Sequence, residues 1–132
     1  MNPTPAPPQQ HHLTLTAAPH AARHVRRLVR VYLVLWDMPE LTDAVELAAT
    51  ELLANVFTHV PDGRCTVRLR RLDGGVRVEV HDSCAEMPVA RRAGLMDESG
   101  RGLAMIAAIT SAWGVEPDPG GGGKCVWFEV GA

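Results

Sequence analysis

Cysteine is scarce and poorly spaced for cross-linking. Cys65, Cys84 and Cys125 are the full complement. They are an odd number, far apart and without a C-x-x-C pair, so the pattern suggests neither a disulfide framework nor a zinc site and fits a reducing cytoplasm. No apolar run approaches the roughly 18 residues that a membrane-spanning helix requires. Pro and Gln stand near the start, where a signal peptide would need an apolar stretch. Basic charge is not in surplus either: 13 Lys+Arg against 15 Asp+Glu leave a net charge of −2. That balance argues against a general nucleic-acid binder, whose phosphate contacts demand a basic excess. Lysine is nearly missing, since Arg supplies all the basic residues but Lys124, which we read as genomic coding bias rather than chemistry. The six histidines show no metal-ligand spacing. No G-x-S-x-G elbow is present, which disfavours a serine hydrolase. The run Gly120-Gly121-Gly122-Gly123-Lys124 fails as a Walker motif, because Asp118 replaces its first Gly and Cys125 its Ser or Thr. A strand pattern follows that run where a helix would be needed, so a mobile hairpin turn is the better reading.

What remains is 132 residues, 46% hydrophobic and 21% charged, the make-up of one ordinary domain with a core of its own. Residues 1–12 are rich in Pro, Gln and His and predict a disordered tail, with the domain running from 13 to 131. Alternation predicts a short strand over Leu13–Thr16. Ala22, Val25, Val29, Tyr32, Leu33 and Trp36 then recur at helical spacing, with Arg23, Arg26, Arg27 and Arg30 on the other side as a solvated face. Pro39 breaks the chain before a second helix over Thr42–His59, whose stripe is Val45, Ala49, Leu52, Leu53 and Val56. Cys65, Val67, Leu69 and Val76, Val78, Val80, joined by Asp73-Gly74-Gly75, form the clearest hairpin signal. Residues 83–99 show no period and read as a functional loop or lid. A third helix over 101–111 and strands over 113–116 and 124–130 complete an α+β sandwich, with helices stacked on one face of a largely antiparallel sheet.

Three features carry chemistry. On the second helix Glu51, Asn55 and His59 fall at i, i+4 and i+8, one polar stripe bordering the apolar face. Glu51 has no basic residue four positions away, so the usual surface ion pair lacks its partner. An Asn carbonyl is a hard oxygen ligand of the kind Mg²⁺ accepts, and a nearby Glu suits a general base. Asp82 ends a strand in step with Val76, Val78 and Val80, so it points toward the helices, where a carboxylate needs a donor such as the adenine amine. An Asx-type turn residue is the equal alternative. Gly100-Arg101-Gly102 opens the third helix, where close backbone approach and free N–H groups suit phosphate.

Taken in order, ELLANVFTH at 51–59, VRVEVHDS at 76–83, GRGL at 100–103 and GKCVWFEV at 123–130 resemble the GHKL superfamily of ATPases and kinases. The similarity is greatest to the anti-sigma-factor serine/threonine kinases and their small actinobacterial ATP-binding relatives. The resemblance implies the two-layer ATP-binding (Bergerat) fold, ATP and Mg²⁺ as cofactors, and a cytoplasmic role in transcription regulation. By the same resemblance Asn55 is the magnesium ligand and Glu51 the base that takes a proton from a substrate hydroxyl. Asp82 reads adenine, Gly100 and Gly102 bring amides to phosphate, and Arg101 and Lys124 balance its charge. The implied partners are an antagonist (anti-anti-sigma) protein and/or a sigma factor, without direct nucleic acid or membrane, and a homodimer is among the open assembly states. A nucleotide-dependent binding module without phosphoryl transfer is the alternative. A histidine kinase is disfavoured, since 132 residues leave no room for a phosphoacceptor helical domain and His24 has no neighbouring acid. Two departures stand out: Cys84 and Ala85 replace glycines expected soon after Asp82, and Cys125 stands where many relatives carry a Thr near the adenine.

Overall fold

The computed structural model describes residues 7–84 and 98–132, with only the backbone of 98–103. In chain order the elements are β1 (Gln10–Thr16), α1 (Pro19–Leu35), a 3-10 turn (Pro39–Leu41), α2 (Thr42–His59), β2 (Arg64–Leu72), β3 (Gly75–Asp82), α3 (Glu98–Ile109), β4 (Ala112–Pro117) and β5 (Lys124–Val130). The strands form one sheet in the order β1-β2-β3-β5-β4, and every neighbouring pair is antiparallel.

Pro19 sits at the start of α1, where its missing N–H costs no helical bond. Ala21, Val25, Val29 and Leu33 then return every fourth residue to the buried face. The helix stops in a Schellman arrangement: Met38 N–H donates to Leu33 O at 2.7 Å and Asp37 N–H to Val34 O at 3.0 Å. Asp37 holds the left-handed position with φ 59°, where glycine is usual. Pro39 follows at once, as a helix stop requires.

The second helix has the bounds its periodicity predicts. Its buried side is wider than one stripe, taking in Ala48 and Glu46 as well, because α2 packs against α1, α3, β3 and β5 together. Glu46 is partnered there by Arg30 of α1 at 2.9 Å, and Arg26 reaches Thr50 at 3.5 Å. Two of the arginines expected to face only solvent therefore tie α1 to α2. One core cluster joins these helices to the inward residues of the sheet, among them Val67, Leu69, Val78, Val80, Val126 and Phe128. Trp36, Leu33, Leu52, Ile106 and Phe128 are almost fully enclosed, each contributing roughly 1.5–3 kcal/mol by burial.

Two sequence-based boundaries move. The first strand begins at Gln10, not Leu13, because it pairs with β2 from Gln10↔Arg70 to Thr16↔Arg64. His11 and His12, expected in a disordered tail, thus belong to the sheet. His11 stacks on Tyr32 with ring centroids 4.9 Å apart, and Trp36 Nε1 donates to Pro8 O at 2.8 Å, so the segment gains its order from α1 rather than from its own composition. The third helix starts at Glu98, which places Gly100 and Gly102 within its opening turns. Most of the expected lid, residues 85–97, lies outside the described residues.

Candidate functional site

Where β3 ends and β5 begins, the sheet meets the last turns of α2. Asp82 and Lys124 are cross-strand partners there, and the thiol of Cys84, just beyond β3, donates to His59 O of α2 at 3.9 Å. Gly123 lets the strands close: a Cβ at that position would strike the carbonyl oxygen of Asp82.

Asp82 points to the helix side, as its strand parity predicts, and is only 7% exposed; the bonds it makes there include those of the Asx-type turn. Its Oδ1 accepts the Cys84 N–H at 2.8 Å, the geometry of an Asx turn. The same oxygen accepts Lys124 Nζ at 3.0 Å, and Lys124 also donates to Cys84 O at 3.0 Å. Both bonds to Asp82 use Oδ1 and neither uses Oδ2, the second acceptor of the carboxylate.

Lys124 is 4% exposed and its ammonium is committed to Asp82 and Cys84 O. That differs from the role expected for it, charge balance at phosphate. The signal was in the chain: Lys124 shares the parity of Val126, Phe128 and Val130, so it faces the core, where a lysine needs a carboxylate. The same parity corrects the expectation for Cys125. Lys124, not Cys125, stands beside Asp82, while Cys125 pairs with His81 on the opposite face of the sheet.

On α2, Glu51 and Asn55 are half-buried and one turn apart, and His59 is exposed. Glu51 makes no hydrogen bond or ion pair among the described residues. The Nδ2 of Asn55 is buried without a partner there. Buried polar atoms are nearly always satisfied, so an orphaned amide here fits a site completed by a ligand. Since the amide oxygen and nitrogen are assigned rather than observed, the same group offers a hard oxygen to a cation. The donor set therefore suits Mg²⁺ with phosphate. Gly100 lies among the first residues of α3, whose N–H groups have no helical acceptors, and Gly102 two residues further in; the side chain of Arg101 is outside the described residues. Cys65, the cross-strand neighbour of Asp82 on β2, has its thiol pushed up to about 11 by burial and then by the Asp82 charge.

Comparison with known proteins places the chain in a family and beside known structures. A family model described as a histidine kinase-like ATPase domain matches residues 15–130. An uncharacterized protein of Streptomyces coelicolor is 45% identical over 71 residues, covering 51% of this chain and 68% of that protein. Among solved structures, the RsbU and RsbW domains of Rv1364c from Mycobacterium tuberculosis match at a TM-score of 0.66 and 26% identity. That alignment covers 97% of this chain and 32% of the other, so this chain spans about a third of the length of the matched structure. The α+β sandwich of one antiparallel sheet under helices is the fold of its RsbW domain.

Proposed function

Because the chain belongs to the histidine kinase-like ATPase domain family, we propose that it is an ATP-binding regulatory protein of the anti-sigma-factor kinase type. It transfers the ATP γ-phosphate to a Ser or Thr of an antagonist protein in the cytoplasm, and sequesters a sigma factor when that antagonist is absent. The observation that carries the reading is the uncommitted pair on α2, one turn apart: among the described residues Glu51 has no partner and Asn55 has a buried, unbonded amide.

Each residue has a definable task. Asp82 accepts the adenine amine through Oδ2, while Lys124 and the Cys84 N–H hold Oδ1 and fix the carboxylate plane. Asn55 holds Mg²⁺, which when bound neutralises phosphate charge. The amides at Gly100 and Gly102 approach the phosphates, with Arg101 as their counter-charge. Glu51 takes the proton from the attacking hydroxyl. Such transfer asks mainly for positioning and charge neutralisation, so this small set suffices.

A second reading, a nucleotide-dependent protein-binding module without transfer, is favoured by Lys124. Its ammonium, paired with Oδ1, neutralises part of the charge of the acid that reads the base. Calorimetric titration with ATP, with and without Mg²⁺, tests the common premise of both readings. ATP binds the wild-type chain more tightly with Mg²⁺, and Asn55→Ala loses that metal-dependent part. Absence of binding at millimolar ATP with Mg²⁺ overturns both.

A further inference from the structure

The face of the sheet turned away from the helices holds a second cluster of chemically capable side chains, independent of the nucleotide reading. Glu79 and His81 alternate outward on β3, and Cys125 lies directly across from His81 on β5. Their donor atoms all lie within 4.8 Å of one another. Glu116 of β4 is the other cross-strand partner of Cys125, so His81, Cys125 and Glu116 form one row across three strands.

We propose that Glu79, His81 and Cys125 bind a divalent cation of the zinc class on this face of the sheet, with Glu116 or water as the fourth ligand. The chemistry of the set is that of a borderline-soft ion: a thiolate, an imidazole and a carboxylate oxygen suit tetrahedral zinc. Ligand atoms around such an ion stand about 3.5 Å apart, from bond lengths of about 2.0–2.3 Å. Glu79 Oε1 and His81 Nε2 are already at 3.3 Å, which leaves mainly the sulfur to swing inward.

The arginines nearby orient the site rather than fill it. Arg77 and Arg70 both hold Oε2 of Glu79, at 2.7 and 3.2 Å, and turn Oε1 toward His81; only Arg68, at 3.8 Å, approaches that oxygen. A carboxylate fixed by hydrogen bonds on its outer oxygen is the usual support of a metal ligand. At the sulfur the acids outnumber the base: Glu79, Glu116 and Asp118 act on it against Arg77. That field resists a bare thiolate and welcomes a cation. Burial first, then Glu79, pushes the Cys125 thiol up to about 12; binding therefore displaces a tightly held thiol proton, which leaves to solvent as the ion takes its place. Glu79 and Cys125 are buried by folding itself, so little further desolvation is needed on binding. His81, its side chain 35% exposed, leaves the way in from solvent.

The test uses the full chain stripped with a chelator and titrated with Co²⁺. One equivalent gives a near-ultraviolet thiolate-to-cobalt charge-transfer band and the visible bands of a tetrahedral ion, and Zn²⁺ displaces both. The charge-transfer band disappears in Cys125→Ser and persists in Cys84→Ser and Cys65→Ala. In His81→Gln, at a partly exposed position that leaves the core intact, Zn²⁺ affinity falls at least about tenfold and the zinc-dependent rise in Tm is lost. The proposal fails if the wild type shows no such band, if Cys125→Ser retains it, or if His81→Gln binds Zn²⁺ as tightly as the wild type.

Discussion

Glu51 stands out among the described residues by what it does not touch. A carboxylate on a helix normally finds a lysine or arginine within one turn, and this one has none among the described residues. If it is the general base, Glu51→Gln keeps size and hydrogen bonding but cannot accept the proton. Transfer of labelled γ-phosphate to the co-purifying antagonist protein then slows by about two to four orders of magnitude, with ATP affinity little changed. In the binding-module reading the wild type transfers nothing and the substitution changes nothing. Wild-type transfer with an unaffected Glu51→Gln removes Glu51 from the mechanism. Asp82 shows the other side of residue-scale reading. Its strand parity placed it correctly under the helices, but its commitment to Lys124, at a separation of 42 residues, follows from the register between β3 and β5.

At the scale of elements, periodicity served best where an element is covered on one side. The second helix shows the predicted bounds, and the hairpin of β2 and β3 closes with Leu72 opposite Gly75 around Asp73-Gly74. It served worst where order is borrowed. The first strand is held by its ladder with β2 and by Tyr32 and Trp36 of α1, contacts that composition near the N-terminus cannot announce. The end of α1 offers a direct test of local backbone chemistry. Asp37 sits at φ 59° inside a Schellman cap, a region that glycine enters without the steric cost borne by a residue with a Cβ. Asp37→Gly should therefore stabilise the fold by up to about 1 kcal/mol, after the larger unfolded-state entropy of Gly is set against the relief. Thermal unfolding reads this as a Tm rise of a few degrees, and a lower Tm would show that the Asp37 side chain contributes more than its strain costs.

Across the whole molecule the two faces of the sheet divide the chemistry. One lies under the helices with the core and the Asp82–Lys124 pair, and the other carries the arginines, Glu79, Glu129 and Trp127, with Arg77 stacked over the Trp127 ring at 4.1 Å. Among the described residues no helix is long and apolar enough to cross a membrane. The enclosed thiol of Cys65 makes global stability sensitive to alkali. Its value is about 11 in the fold and about 8.5 in an unfolded chain. The folded state then binds the proton more tightly, so this contribution is complete below about pH 8.5 and is lost as the pH climbs toward the folded value. The slope from this one thiol is at most about 1.4 kcal/mol per pH unit. Urea unfolding at pH 8 and pH 10 measures it, and Cys65→Ala flattens the profile by that share. An unchanged profile in Cys65→Ala would mean that the thiol is not protected as its burial implies.

The amino-acid order alone determined the α+β class, the second helix, the central hairpin, and the face on which Glu51, Asn55 and Asp82 appear. Those properties follow from periods of 3.6 and 2 and from turn residues, all local within a window of about 18 residues. Only the tertiary structure decided which side chains meet. The β3–β5 ladder joins strands separated in sequence by α3 and β4, and no local period encodes its register. That single register places Lys124 on Asp82 beneath the helices. On the reverse face it places Cys125 beside His81 and Glu79, a grouping that cysteine spacing along the chain does not reveal.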